Sequence, residues 1–168
     1  MLHTGRGLTR IGNARPENGQ NLLVRQKVLV NLFNQAGFQT ILSKDILTQV
    51  WNKFIMNCVI NPLTAVMKVR NGDLLDSEWS ISLMRELYIE GAAVAKANGT
   101  PIDEQLWETL LQVCRSTSLN HSSMLQDIMN SKRTEIDSLN GSLLRIAEQW
   151  QISIPTHRTI HRLVKALE

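Results

Sequence analysis

Beyond residue 20 the apolar positions of this chain recur at helical spacing, with polar residues filling the intervals. Leu22, Leu23, Val24, Val28, Leu29, Leu32 and Phe33 predict a helix over residues 21–36, which Gly37 is placed to end. Residues 38–42 read as a brief extended link. Ser43 or Asp45 can then cap a long apolar helix that passes Trp51, Phe54 and Ile55 towards Val69, with Pro62 interrupting it. After a turn at Asn71-Gly72-Asp73, Trp79, Leu83, Leu87 and Val94 mark a further helix that ends at Asn98-Gly99. Thr100-Pro101-Ile102-Asp103 predicts an immediate restart, with Thr100 as cap and Pro101 at the first helical position, and that helix runs to about Cys114. Residues 116–123 are polar and predict a loop. Thr134 is placed to cap a helix reaching Trp150, and Pro155 precedes a final helix ending near Leu167.

The front of the chain differs. Residues 1–12 are rich in Gly and Thr and fit a short hairpin, and Arg15-Pro16-Glu17-Asn18-Gly19 fits a turn or loop. The expected fold class is therefore mainly α: a multi-helix domain over residues 21–168 with a short N-terminal β-hairpin segment over residues 1–20. No internal repeat is visible.

Composition narrows the classes. A chain of 168 residues is long enough for one domain burying roughly 70% of its unfolded surface. No apolar run approaches the ~20 residues of a membrane span. No apolar stretch follows a basic head at the start, so no secretory signal is expected and the cytoplasm is the default location. Cys58 and Cys114 lie in apolar helical patterns without a CxxC partner, which predicts buried reduced thiols and no metal site. The net charge of +3, from 18 basic and 15 acidic residues, is scattered, and only Arg158, Arg162 and Lys165 make a locally basic face. Without interleaved aromatics that face reads as solvated, so no nucleic-acid partner is expected.

Candidate chemistry sits on the long helix. Lys53, Asn57 and Asn61 fall at i, i+4 and i+8, which puts them on one stripe about 12 Å long, while Phe54, Ile55, Cys58 and Val59 face elsewhere. Amides taken into an apolar setting without partners cost about 1–3 kcal/mol each, so something polar should meet them. Pro62 cannot donate to the carbonyl of Cys58, which leaves a free acceptor and a kink beside Asn61. On spacing alone a plainer reading stands beside this one: Lys53 snorkels to solvent past Trp51, and the asparagines bond to neighbouring helices. Glu135 near a helix start and Asn71 before Gly72 are ordinary placements taken by themselves.

Several blocks taken together are more specific. Residues 51–65, Trp51-Asn52-Lys53-Phe54-Ile55-Met56-Asn57-Cys58-Val59-Ile60-Asn61-Pro62-Leu63-Thr64-Ala65, then Asn71-Gly72, Ser122-Ser123-Met124-Leu125-Gln126-Asp127-Ile128, Thr134-Glu135-Ile136-Asp137 and Asn140-Gly141, resemble in order the signature blocks of ketopantoate reductases. The likeness extends over essentially the whole chain. It implies a helical C-terminal domain like that of 6-phosphogluconate dehydrogenase-type reductases, preceded by the last strands of a Rossmann nucleotide-binding domain. It further implies reduction of ketopantoate to pantoate with NADPH, on the route to pantothenate and coenzyme A. The lysine matching Lys53 would be the proton donor. The residues matching Asn57, Asn61, Asn71 and Ser123 would contact the substrate, and the one matching Glu135 would lie on the cofactor side.

The Gly-rich turn that cradles a dinucleotide has no match here: Gly5-Arg6-Gly7 lacks the third glycine and a preceding strand. Most of the NADPH site is therefore expected to lie in a missing N-terminal domain, making this chain a truncated part that is inactive alone. Two other readings stay open. A different hydroxyacid dehydrogenase would share the Lys-x-x-x-Asn spacing, but a Gly-rich run before the lysine would be expected, and Leu47-Thr48-Gln49-Val50-Trp51 stands there. A helical interaction module without catalysis would tolerate loss of Lys53. Pairing of two copies through the helical half is left open by the sequence.

Overall fold

The computed structural model of the chain describes residues 7–14 and 20–168. It forms two compact units, one up to Val50 and one from Trp51 to Glu168. The first unit holds β1 (Thr9–Ile11), α1 (Gln20–Gln35) and β2 (Thr40–Leu42). The two strands pair in parallel, with Thr9 opposite Thr40 and Ile11 opposite Leu42. This corrects the expected hairpin. Parallel strands need a long crossover instead of a tight turn, and α1 supplies it. Residues 1–6 of that hairpin and the turn at 15–19 lie outside the described residues.

Residues 38–42, expected as a link, contain the second strand. Its position is set by Asn34 near the end of α1, whose Oδ1 accepts from Thr40 N–H at 2.9 Å and whose Nδ2 donates to Thr40 O at 2.8 Å. The partner of β1 lies beyond α1, within the same compact unit, which extends to Val50. Leu23, Val24, Val28, Leu29 and Leu32, which give α1 its apolar periodicity, are exposed.

The second unit is helical. The long helix α2 (Ile46–Met67) begins at the end of the first unit and forms the spine of the second. A 3-10 turn (Gly72–Leu75) follows, then α3 (Glu78–Ala97), α4 (Leu106–Ser116), α5 (Ser123–Met129), α6 (Asn140–Gln149) and α7 (Pro155–Leu167). Side chains of α2 enter four apolar clusters: Val59, Ile60 and Leu63 in one, Cys58, Ala65 and Ile55 in the others. Among the described residues no helix is long and apolar enough to cross a membrane. Both cysteines are free and buried, and burial pushes the Cys114 thiol up to about 11 and that of Cys58 higher still.

Two predicted helix starts are displaced by tertiary contacts. The helix expected from Pro101 begins at Leu106, because Asp103 N–H donates to Asn52 Oδ1 on α2 at 3.1 Å and the Asp103 carboxylate accepts from Gln105 N–H at 2.9 Å. The helix expected from Thr134 begins at Asn140. Thr134 N–H and Oγ1 both donate to Glu168 Oε1, at 2.9 and 2.7 Å, and residues 135–139 form a turn in which Glu135 O accepts from Ser138 and Leu139. Glu135 thus lies in that turn and not in the first turn of a helix. Other ends follow the sequence: Gly37 (φ 87°) and Gly99 (φ 69°) stand just beyond α1 and α3, and Pro155 opens α7.

The carbonyl that Pro62 cannot serve is met from a distance of 82 residues along the chain. Asn140 Nδ2 donates to Cys58 O at 3.0 Å and lies 2.9 Å from Nδ1 of His157, while His157 Nε2 lies 2.9 Å from Leu87 O. Both protons of the Asn140 amide face acceptors, so Nδ1 accepts and Nε2 carries the ring proton: His157 is neutral. Complete burial holds its pKa down at about 4, against a weaker upward pull from Leu87 O and Glu90. Glu90 also accepts from the N–H groups of Thr156 and His157, both at 2.9 Å, and so caps α7 from α3.

A histidine held neutral by folding refuses a proton that the unfolded chain accepts below the ordinary value of 6.5. Stability is therefore fully present above about pH 6.5, falls as the pH drops towards 4, and is lower by on the order of 2 kcal/mol at pH 5. Urea unfolding at pH 7 and pH 5 should show this loss in the wild type and a smaller one in His157→Gln. Equal losses in the two chains would contradict the neutral ring.

Candidate active site

Each predicted site residue lies in the helical unit. Lys53, Asn57 and Asn61 form the expected stripe on α2: Lys53 is exposed and the two asparagines are half-buried. Among the described residues Lys53 and Asn57 make no hydrogen bond or ion pair. The reading in which both asparagines bond to neighbouring helices therefore fails for Asn57, while Lys53 does reach solvent.

Asn61 is where other segments arrive. Its Nδ2 lies 3.5 Å from Ser123 Oγ and 3.4 Å from Glu135 Oε1, and Ser123 Oγ donates to the same Glu135 oxygen at 2.7 Å. Residues 62 and 74 positions away are thus brought to one end of the stripe. One turn along α2, buried Thr64 explains how: Thr64 Oγ1 bonds to Ser122 Oγ at 2.6 Å, and Ser122 Oγ accepts from Leu125 N–H at 3.1 Å as the cap of α5. The start of α5 is fastened to α2, and Ser123 follows it.

The turn carrying Glu135 is held from α7. Besides the two bonds from Thr134 to Glu168, Asp137 accepts from His161 Nε2 at 2.9 Å, Lys165 Nζ at 3.2 Å and Arg133 at 3.2 Å. These partners, His161 first, hold the Asp137 carboxyl down at about 2.

Asn71 stands apart from this group and makes no hydrogen bond to it. Its Nδ2 donates to Thr117 Oγ1 at 2.9 Å, and Thr117 Oγ1 donates to Val113 O at 2.7 Å, so the amide orientation is fixed. Asn71 Oδ1 is then left buried without a donor. Its backbone N–H donates to Asn120 O at 3.0 Å and that of Gly72 to Ser118 O at 3.2 Å. The short segment from Thr117 to Ser122 is consequently gripped by Asn71-Gly72 at one end and by Thr64 at the other. Among the described residues no three His, Cys, Asp or Glu side chains converge as a metal would require.

Thr64, Ser122, Thr117 and Asn140 support this arrangement, yet the residue patterns alone did not mark them. Thr64 had one local signal, lying three residues after Asn61 on the same side of α2.

The second unit is thus a set of helices packed round one spine, α2, that carries Lys53, Asn57 and Asn61 on a single stripe. Residues 45–168 match the family described as "Ketopantoate reductase PanE/ApbA C terminal", and the chain belongs to that family. It is 38% identical over 164 residues to the 2-dehydropantoate 2-reductase of Pyrococcus horikoshii, covering 98% of this chain and 53% of that protein. The crystal structure of a PanE/ApbA family ketopantoate reductase from Ralstonia eutropha JMP134 superposes with a TM-score of 0.85 at 30% identity, over 98% of this chain and 52% of the other. D-mandelate dehydrogenase, solved with NADH and anilino(oxo)acetate, shares the fold at a TM-score of 0.88 and 23% identity, over 97% of this chain and 67% of that one. The chain spans about half the length of the curated relatives it matches.

Gly72 tests the grip on the 117–122 segment. A Cβ there would lie 2.6 Å from Ser118 Cβ and 2.9 Å from its Cα, so one of the two strands of backbone must move. Gly72→Ala should lower unfolding stability by about 1–3 kcal/mol in urea titration; a stability equal to wild type would contradict this packing.

Proposed function

We propose that this chain is the substrate-side half of an NADPH-dependent reductase that converts ketopantoate to pantoate, acting in the cytoplasm on the route to pantothenate. The observation that carries the reading is the stripe of α2: a lysine and an asparagine with no hydrogen bond or ion pair among the described residues, continued by Asn61 into the Ser123–Glu135 pair. A 2-keto acid with a free hydroxyl offers a carboxylate, a carbonyl and an O–H group. Lys53, Asn57 and Asn61 supply donors for the first two, and Ser123 Oγ, whose proton goes to Glu135, keeps a lone pair that can accept. The buried Oδ1 of Asn71 lacks a donor, and the substrate hydroxyl is a group that can provide one.

NADPH, when bound, supplies the hydride that adds to the ketone carbon. As that bond forms, negative charge develops on the ketone oxygen. Lys53 stabilises it and gives the proton that completes the alcohol, becoming a neutral amine that recovers its proton from solvent. Glu135 faces the cofactor side: its Oε1 accepts from Ser123, and a carboxylate keeps further acceptor capacity for a sugar hydroxyl. The remainder of the cofactor site belongs to a nucleotide-binding half, of which β1 and β2 are the trailing strands, and the exposed apolar side chains of α1 are where that half would pack.

The test is NADPH oxidation with ketopantoate by this chain alone and by the chain joined to an N-terminal nucleotide-binding half. Turnover is expected in the joined protein only. In it, Lys53→Ala should lower kcat by about 100-fold or more, while Asn57→Ala and Asn61→Ala should mainly raise KM. An unchanged kcat in Lys53→Ala, or turnover by the short chain alone, would contradict the reading.

A further inference from the structure

The α2 stripe has a fault in its middle. Asn57 and Asn61 lie on either side of the Cys58 carbonyl, the one acceptor in this stretch that Pro62 deprives of its helical donor. Cys58 is fully buried, so water is not the natural substitute. An unserved carbonyl here would let the turn between the two asparagines open or tilt.

We propose that Asn140 is a positioning residue for the site: by donating to Cys58 O it stands in for the missing N–H of residue 62 and fixes the relative aim of Asn57 and Asn61. Three observations support this. Asn140 is completely buried and reaches Cys58 O at 3.0 Å from the first residue of α6. Its amide cannot be turned over, because His157 Nδ1 at 2.9 Å takes the other proton and His157 Nε2 is committed to Leu87 O. Finally, Asn140 Oδ1 is itself buried without a donor, so the side chain accepts an unpaired oxygen in order to present both protons. A residue selected only to fill space or to cap α6 would have no reason to keep an amide in that environment. Among the described residues Asn140 makes no hydrogen bond to a stripe side chain; it acts through the backbone of α2.

The inference rests on reading the stripe as the ligand face, and a double-mutant cycle tests it on the chain as it stands. Alanine at position 62 restores the N–H that can serve Cys58 O from within the helix. The donor lost by His157 Nδ1 in Asn140→Ala is the same in both backgrounds and cancels. The readouts are ketopantoate affinity by NMR titration and, without ligand, the side-chain amide resonances of Asn57 and Asn61 with hydrogen exchange across residues 57–63. Asn140→Ala should weaken ketopantoate binding about tenfold beside Pro62 and less than about twofold in the Pro62→Ala background, with the asparagine resonances shifted only in the former. A loss of equal size in both backgrounds, or no loss in either, overturns the proposal.

If Asn140→Ala alone does not fold, the doubly substituted chain should; failure of both also overturns it. Absence of ketopantoate binding by the wild-type chain would count against the functional reading instead. The resonance and exchange pattern would still decide the role of Asn140.

Discussion

A buried helix with a proline in its middle has one carbonyl too many, and the second unit is organised around where that carbonyl goes. α2 is buried on several sides and feeds all four apolar clusters, so the gap left at Pro62 faces protein rather than water. Asn140 crosses from the start of α6 to close it, and this ties α6, α7 and α3 to the spine through one chain of bonds: Cys58 O, Asn140, His157 and Leu87 O. An unmade bond of this kind costs about 1–3 kcal/mol, a sizeable share of a domain's net stability. The same break separates the two asparagines of the polar stripe.

The candidate site follows from three further attachments to α2 or its extension. Thr64 fastens the cap of α5 and so places Ser123 beside Asn61. Ser123 in turn meets Glu135, on a turn that Glu168 and the bonds of His161 and Lys165 to Asp137 hold against α7. Asn71, beyond the end of α2, is fixed by Thr117 with its oxygen left over. Asn61, Ser123 and Asn71 are thus each aimed by a bond to something else, while among the described residues Lys53 and Asn57 make no hydrogen bond or ion pair. That combination of fixed donors and unspent capacity is what a small polar ligand needs, since little reorganisation is left for the moment of binding.

Much of this was legible in the sequence where the governing contacts are local. The 3.6-residue period put Lys53, Asn57 and Asn61 on one stripe, Pro62 announced a carbonyl in need of a donor, and Gly37, Gly99 and Pro155 marked helix ends that the structure keeps. Local signals failed where a distant group outbid them. Thr100-Pro101 looked like a helix start, but Asn52 takes the Asp103 N–H; Thr134 looked like a cap, but Glu168 takes both its donors. The parallel pairing of β1 with β2 was misread as a hairpin because the partner lies 31 residues on, beyond a helix. No periodicity links Asn61 to Ser123, Glu135 or Asn140; only the ordered likeness to a known family pointed to the first two, and nothing pointed to the bond that Asn140 makes.

The central claim is that the polar stripe of α2 and its companions form the pocket for a 2-keto acid carrying a free hydroxyl. The most direct measurement is a titration of the isotopically labelled 168-residue chain with ketopantoate, following the side-chain amides of Asn57, Asn61 and Asn71 and the ammonium of Lys53 by NMR. The account predicts saturable shifts at these four residues and at Ser123, with the remote surface of α3 unmoved. Shifts confined to other surfaces, or none at millimolar ligand, would contradict it.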